Sequence, residues 1–158
     1  MKVVLQRVKR GSVILRGESV PKAAIGQGFL LLVGFEKGDS EEDYRLLAEK
    51  IAKLRIFEDA EGKTNLSLSS VGGEILSISQ FTLAATLRHS GNRPSFSSAL
   101  EPEAAERFYH AFDAYLSSLL GLEVKEGVFG GDMEVELLND GPFTLVLDSH
   151  DLGKEARA

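Results

Sequence analysis

Three hydroxyls and an amide, on Ser77, Ser79, Gln80 and Thr82, fall within the otherwise apolar run Glu74-Ile75-Leu76-Ser77-Ile78-Ser79-Gln80-Phe81-Thr82-Leu83. A serine or threonine nucleophile needs a base within hydrogen-bond reach, and the chain offers three histidines. His110 falls with Glu106 and Asp113 on what reads as the polar face of a helix, and His150 lies in a polar terminal stretch. His89, close in sequence to the run, is the one candidate base, and spacing alone does not make it a Ser/His/Asp triad. No HExxH, calcium-loop or P-loop pattern is present, and no cysteine, which excludes thiolate catalysis, Cys-ligated zinc and a disulfide framework. No metal and no cofactor are expected. Hydrolysis here would lean on backbone donors and on the substrate itself. The polar cluster has two readings, an internal hydrogen-bonded network or a site.

A second stretch poses a backbone question. Asn139-Asp140-Gly141-Pro142 joins two runs of strand formers, Met133 to Leu138 and Phe143 to Asp148. Asn-Asp-Gly already suffices for a tight hairpin turn. The added proline removes a ladder donor, fixes φ and leaves the preceding peptide bond unusually free to be cis. It is either a turn that ends in proline or a backbone feature present for its own sake.

The elements that must position these groups read as one domain. With 158 residues, 43% of them hydrophobic, the chain can bury a core without covalent staples. Val3 to Val8 and Ser12 to Leu15 look like two arms of an opening strand pair, followed by the apolar strand Phe29 to Phe35. Ser40 with Asp43 resembles a capping box, and Tyr44, Leu47, Ala48, Ile51 and Leu54 recur on one helical face. Arg55-Ile56-Phe57 reads as a short strand. Pro102 opens a second helix whose stripe Ala105, Phe108, Tyr109, Phe112, Tyr115, Leu116 and Leu119 ends at Gly121. That stripe reads as core. Strands follow at Leu122 to Lys125 and at the two runs above. The Glu74–Leu83 run, apolar on both sides, should be an internal strand. The pattern is α+β, two helices covering a largely antiparallel sheet system, with residues 1–149 as one domain and 150–158 as a short polar tail, expected to be disordered.

A net charge of −6 argues against broad nucleic-acid binding, DNA included, which relies on a surface of opposite sign to phosphate. Two local basic groups remain: Lys2, Arg7, Lys9, Arg10 and Arg16, and the loop residues Arg88, His89 and Arg93. Each is either a binding patch or a set of solvated cations. The longest apolar stretch, Phe29 to Phe35, is too short to span a bilayer, and the N-terminus turns polar too soon for a signal peptide, so a soluble cytoplasmic protein is expected.

Several motifs agree in order along nearly the whole chain. SQFTL (Ser79 to Leu83), GNRPSF (Gly91 to Phe96), NDGPFT (Asn139 to Thr144), LRIFEDAEGK (Leu54 to Lys63) and FGGDMEVEL (Phe129 to Leu137) resemble those of the D-aminoacyl-tRNA deacylases. The resemblance implies a barrel-like fold in β/β/α layers and a homodimeric hydrolase with its active sites at the subunit interface. The substrate it implies is an aminoacylated tRNA carrying a D-amino acid, or glycine mischarged on tRNA-Ala. It further implies that Ser79, Gln80, Phe81 and Thr82 form the catalytic floor under the aminoacyl-adenosine end. Gly141 and Pro142 match a Gly-cis-Pro motif that enters the pocket of the opposite subunit and rejects L-amino acids by collision with rigid backbone, and Arg7 matches an arginine that braces it. Arg88 and Arg93 are candidate tRNA contacts. Two chemistries stay open, a Thr82 nucleophile or water activated by the ribose 2′-hydroxyl; a non-catalytic RNA-binding module is the rival class. Three departures stand out: a longer Ala84–Ser90 loop, Gly131 where alanine is common, and Phe143 in place of a smaller residue.

Overall fold

A computed structural model describes residues 1–155. Its strands are β1 (Lys2–Leu15), β2 (Ala23–Ile25), β3 (Gly28–Gly34), β4 (Arg55–Glu58), β5 (Thr64–Ser67), β6 (Glu74–Ser79), β7 (Val124–Glu126) and β8 (Met133–Asp148), and its helices are α1 (Glu41–Lys53), α2 (Pro102–Leu120) and α3 (Ser149–Glu155). The main sheet runs β2-β1-β3-β6-β7 with β8 on the other side of β1, and β4 and β5 form a separate pair. β1 pairs antiparallel with β2, β3 and β8, while β3, β6 and β7 run parallel. The mixed, mostly antiparallel sheet nearly closes into a barrel, as the α+β reading expects.

The helix boundaries follow from local chemistry. Asp43 accepts the Ser40 backbone N–H at 2.8 Å, closing the return half of the capping box, and Tyr44, Leu47, Ala48 and Ile51 are buried behind it. Pro102 occupies the first turn of α2, where its missing N–H costs nothing, and Gly121 ends the helix at φ 65°. α1, α2 and the inner face of β1, β3 and β6 enclose the larger core around Phe29, Leu31, Tyr109 and Phe112. A smaller one, with Val8, Val13, Leu30, Leu76 and Ile78, fills the other face.

Several expectations change. β1 is one strand, not two arms. The two runs flanking Asn139–Pro142 are likewise one strand, because both pair with β1 rather than with each other, so no hairpin forms. Gln6 faces Thr144 and Val8 faces Asn139, which sets Asp140–Phe143 as a bulge opposite the single residue Arg7; a second bulge at Lys9 follows. β6 stops at Ser79, and Phe81–Ala84 wind into a 3-10 turn, so Phe81 and Thr82 lie beyond the strand. Of the tail expected over 150–158, residues 150–155 are helical, as part of α3 (Ser149–Glu155). The Ser149 hydroxyl donates to Asp43 at 2.7 Å and accepts from the Met1 ammonium at 3.0 Å, pinning its start to α1; residues 156–158 lie outside the described residues. Leu54 caps α1 rather than belonging to it, and Asp113, assigned to the polar face, is buried because it stands one turn beyond Tyr109.

Candidate functional site

The floor begins where β6 leaves the sheet. Ser79 pairs with Val33 of β3, and the Gln80 N–H is committed to the Val33 carbonyl at 2.7 Å. The chain then turns, and the Gln80 and Thr82 carbonyls accept the N–H groups of Leu83 and Ala85. The N–H groups of Phe81 and Thr82, at the head of that turn, make no hydrogen bond among the described residues. Gln80 Nε2 donates to Thr82 Oγ1 at 2.6 Å. No carboxylate or imidazole bonds to Ser79 or Thr82 among the described residues: His110 faces Glu126, His150 faces Asp39, and His89 is exposed without a partner. The candidate base His89 makes no bond to the floor, and Thr82 has no group among the described residues to take its proton.

Two hollows flank this floor. One, of about 250 Å³, lies between Ser79–Phe81 and the segment Gly130–Met133 with Val135. The other, of about 480 Å³ and mostly apolar, is walled by Phe81, Phe96, Phe129, Leu100 and Ala105, with Lys37 and Glu101 at its rim. Phe81 is 57% exposed and meets Phe96 edge-on, with centroids 5.1 Å apart, which leaves an aromatic face open to a planar guest. Sequence reading missed Phe96, Phe129 and Ala105 as lining residues. Of these, Phe96 ends the motif GNRPSF and Phe129 opens FGGDMEVEL. Gly131 of the latter lines the smaller hollow, and a Cβ there would come 3.1 Å from Val128 and 3.2 Å from Leu15.

The Gly141–Pro142 bulge is a separate unit. The peptide bond is cis, and both residues are exposed. Arg7, 6% exposed, holds the bulge from beneath: Nε donates to the Asp140 carbonyl at 2.9 Å, Nη1 to the Ile56 carbonyl, and the guanidinium stacks 4.8 Å from the Phe143 ring centroid. The large Phe143 thus gives the guanidinium a face to lie on. Asn139 closes the bulge, accepting the Phe143 N–H at 2.6 Å and donating to Thr144 at 2.9 Å. Arg7, Gly141 and Pro142 are brought together; they line neither hollow of their own chain.

Comparison with known proteins follows the same outline. The family described as D-Tyr-tRNA(Tyr) deacylase matches residues 4–148. The chain belongs to this family. A D-aminoacyl-tRNA deacylase of Halalkalibacterium halodurans is 54% identical over 149 residues, 94% of this chain and 99% of that one. One from Dictyoglomus turgidum is 50% identical over 157 residues, 99% and 98% of the two chains. Among solved structures, the c-Myc DNA Unwinding Element Binding Protein superposes with a TM-score of 0.84 at 40% identity, covering 94% of this chain and 98% of that one. A probable eukaryotic D-amino acid tRNA deacylase, at 17% identity and TM-score 0.79, shares the fold over 93% and 98%. Membership makes the chain a hydrolase of the deacylase class.

The basic groups fare differently. Lys2, Arg10 and Arg16 pair with Glu36, Glu136 and Asp132, and Arg7 is buried, which leaves Lys9 as the exposed member of the first group without an acidic partner among the described residues. Arg88 and Arg93 are exposed without an acidic partner among the described residues. Asp39, Asp43 and His150 cluster as metal ligands would, yet Asp39 already holds the Met1 ammonium at 2.7 Å. No helix among the described residues is long and apolar enough to cross a membrane.

Proposed function

We propose that this chain hydrolyses the ester joining a D-amino acid to the 3′-terminal ribose of tRNA, in the cytoplasm, as a homodimer whose two sites each borrow the partner's Gly141–Pro142 bulge. The observation that carries the reading is a division within one chain. The floor has two unpaired N–H donors but nothing above it, and the bulge is braced and exposed but covers nothing of its own. The outer edge of β8 has no partner strand among the described residues, which gives a second copy a surface to meet.

In the assembled site the aromatic hollow takes the terminal adenine, by stacking on the faces of Phe81 and Phe129. The scissile carbonyl then lies over the Phe81 and Thr82 N–H groups, which receive the oxyanion as it forms. Water attacks with help from the ribose 2′-hydroxyl, since Thr82 Oγ1 is occupied by an amide donor that cannot accept its proton. An aminoacyl ester is reactive, so positioning supplies most of the acceleration. Handedness is read by exclusion: an L side chain collides with the bulge, which four hydrogen bonds and one stacked guanidinium hold still. A D side chain points away and goes unread, so many D-aminoacyl groups, and glycine on tRNA-Ala, are substrates. Arg88 and Arg93 meet the phosphates of the acceptor end.

The name of the 40% identical relative concerns DNA, but a net charge of −6 leaves this chain little means to hold a duplex unaided. The test is to charge one tRNA separately with the D and L forms of an amino acid and follow ester loss. The reading requires rapid loss of the D ester and survival of the L ester. Equal cleavage of both would make the chain a general esterase, and binding without cleavage an RNA-binding module.

A further inference from the structure

Below the floor, three elements bring polar groups together that the deacylation chemistry does not use. Asp113 of α2 is 2% exposed, and neither of its carboxylate oxygens has a hydrogen-bond donor; Ser77 of β6 is fully buried, and its Oγ also lacks a partner. Glu126 of β7 stands in register beside Ser77. The remaining groups that face them are few. Tyr109 donates its hydroxyl to the Ser77 carbonyl at 2.7 Å, His110 Nδ1 lies 3.0 Å from Glu126 Oε2, and Glu106 lies 3.7 Å from His110 Nε2. No lysine or arginine pairs with Asp113 or Glu126 among the described residues.

Asp113 is thus a buried carboxylate without a donor and Ser77 Oγ a buried hydroxyl without a partner, while the part-buried Glu126, held by His110, adds a second negative charge. One proton resolves both defects. Placed on Asp113, it gives a hydroxyl that donates to Glu126, while the other Asp113 oxygen accepts from Ser77 Oγ. Burial and the neighbouring Glu126 push the Asp113 carboxyl well above the usual carboxylate range, in the direction this sharing requires.

The location gives the pair a consequence. β6 runs two residues on from Ser77 to Ser79 and then Gln80, the floor. β7 runs on from Glu126 through Gly127, whose N–H donates to the Ser77 carbonyl at 3.2 Å, to Phe129 and Gly130, the wall. Tyr109 lines a small space of about 20 Å³ directly beneath Ser79, Gln80 and Phe81.

We propose that Asp113 and Glu126 hold one proton between them, and that this clasp makes Asp113 a positioning residue fixing the spacing of floor and wall in the deacylation site. Loss of the proton sets a buried anion on Asp113 against Glu126 at the core's margin, parts β7 from α2, and widens the seat of the nucleobase, so KM rises before kcat falls. The role in turnover rests on the deacylase reading; the shared proton does not.

The experiment uses the full chain and two kinds of readout between about pH 5 and pH 9. Carbon-13 NMR of the side-chain carboxyls should find Asp113 titrating above the aspartate range, with the carboxyl signal of Glu126 and the amide signals of Gln80 and Gly130 following the same midpoint. Turnover of D-aminoacyl-tRNA should lose kcat/KM above that midpoint, at most about tenfold per pH unit as one ionisation allows. Asp113→Asn, which carries its own donor to Glu126, should abolish the amide shifts and flatten the alkaline limb; Glu126→Gln does the same and stands in if the first variant misfolds. An Asp113 that titrates as an ordinary aspartate, or amide shifts and an alkaline limb unchanged in both variants, overturns the proposal. If no ester is cleaved at any pH, the deacylase reading falls, and the coupled titration with its amide shifts still decides for or against the clasp.

Discussion

Ser77 and Ser79 stand two residues apart on one strand, yet their surroundings obey opposite rules. Around Ser79 the polar groups are amides and hydroxyls, half-exposed, and no ionisable side chain bonds to the floor. Around Ser77 stand a buried acid without a hydrogen-bond donor, Asp113, and the part-buried Glu126. The difference teaches how a hydrolase can be insulated from pH at its reacting atoms while remaining pH-sensitive in the frame that holds them. Main-chain donors do not titrate; a carboxyl in the core does.

The strongest blow to the first half of this contrast falls on Arg7. Arg7→Ala leaves the Asp140 and Ile56 carbonyls without their donor, and is expected to lower stability by about 2–4 kcal/mol and turnover of the D ester about 10²-fold, read by chemical denaturation and by ester loss. Next is Gly141→Ala. A Cβ there would sit 3.0 Å from the Phe143 nitrogen and 3.2 Å from Arg7 Nη2, at φ 141°, so the bulge must shift. Roughly tenfold loss of turnover is expected, with the unfolding free energy lowered by about 1 kcal/mol, since the residue is exposed. A large stability loss would instead make the bulge part of the fold.

The second half is tested by stability against pH. A folded-state carboxyl raised above its unfolded value keeps a proton that the unfolded chain has already released. Between the ordinary aspartate range and the raised value of Asp113, stability therefore falls as pH rises, then levels once both states are ionised. Asp113→Asn should remove that slope in urea titrations across the window; a slope that persists assigns it elsewhere. The smallest effect is expected at Thr82. Thr82→Ala loses one exposed hydrogen bond with Gln80 and should cost no more than about tenfold in kcat. Near-total loss with binding intact would make the hydroxyl a nucleophile and break the idea of a floor without titrating groups.

Both helices and their caps were legible in the sequence because their signals are local: Ser40 with Asp43, Pro102, Gly121. What was not legible depends on distant partners. One strand with a bulge and two strands with a turn share the same string of residues, and only the pairing of both arms with β1 decides between them. The alternation of Ser79, Phe81 and Leu83 suits a strand, yet β3 supplies its last acceptor at Val33 and the chain turns away. Asp113 was misplaced because its charge was weighed above its position one turn from Tyr109. Hydroxyl and amide types in an apolar run marked Ser79, Gln80 and Thr82 as a polar cluster, and their role as a floor, with Phe81, came from the family resemblance. The hollow's walls were not found, since Phe96, Phe129 and Ala105 look like any core residue until the fold leaves them facing space.

The paired irregularities of β1 and β8 carry one more implication. From Gln6–Thr144 to Val8–Asn139, β8 spends three residues more than β1; from there to Arg10–Leu138, β1 spends one more. Both counts are odd, so each strand exchanges its inward and outward sides within the same short span: Val3 and Leu145 serve the larger core, Val13 and Leu137 the smaller. A length change of one residue in either place would invert every side chain on one arm and leave its opposite number unturned. Lys9 and the Asp140–Phe143 excursion are thus locked to each other in parity, and lineages that lengthen or shorten one must amend the other in step.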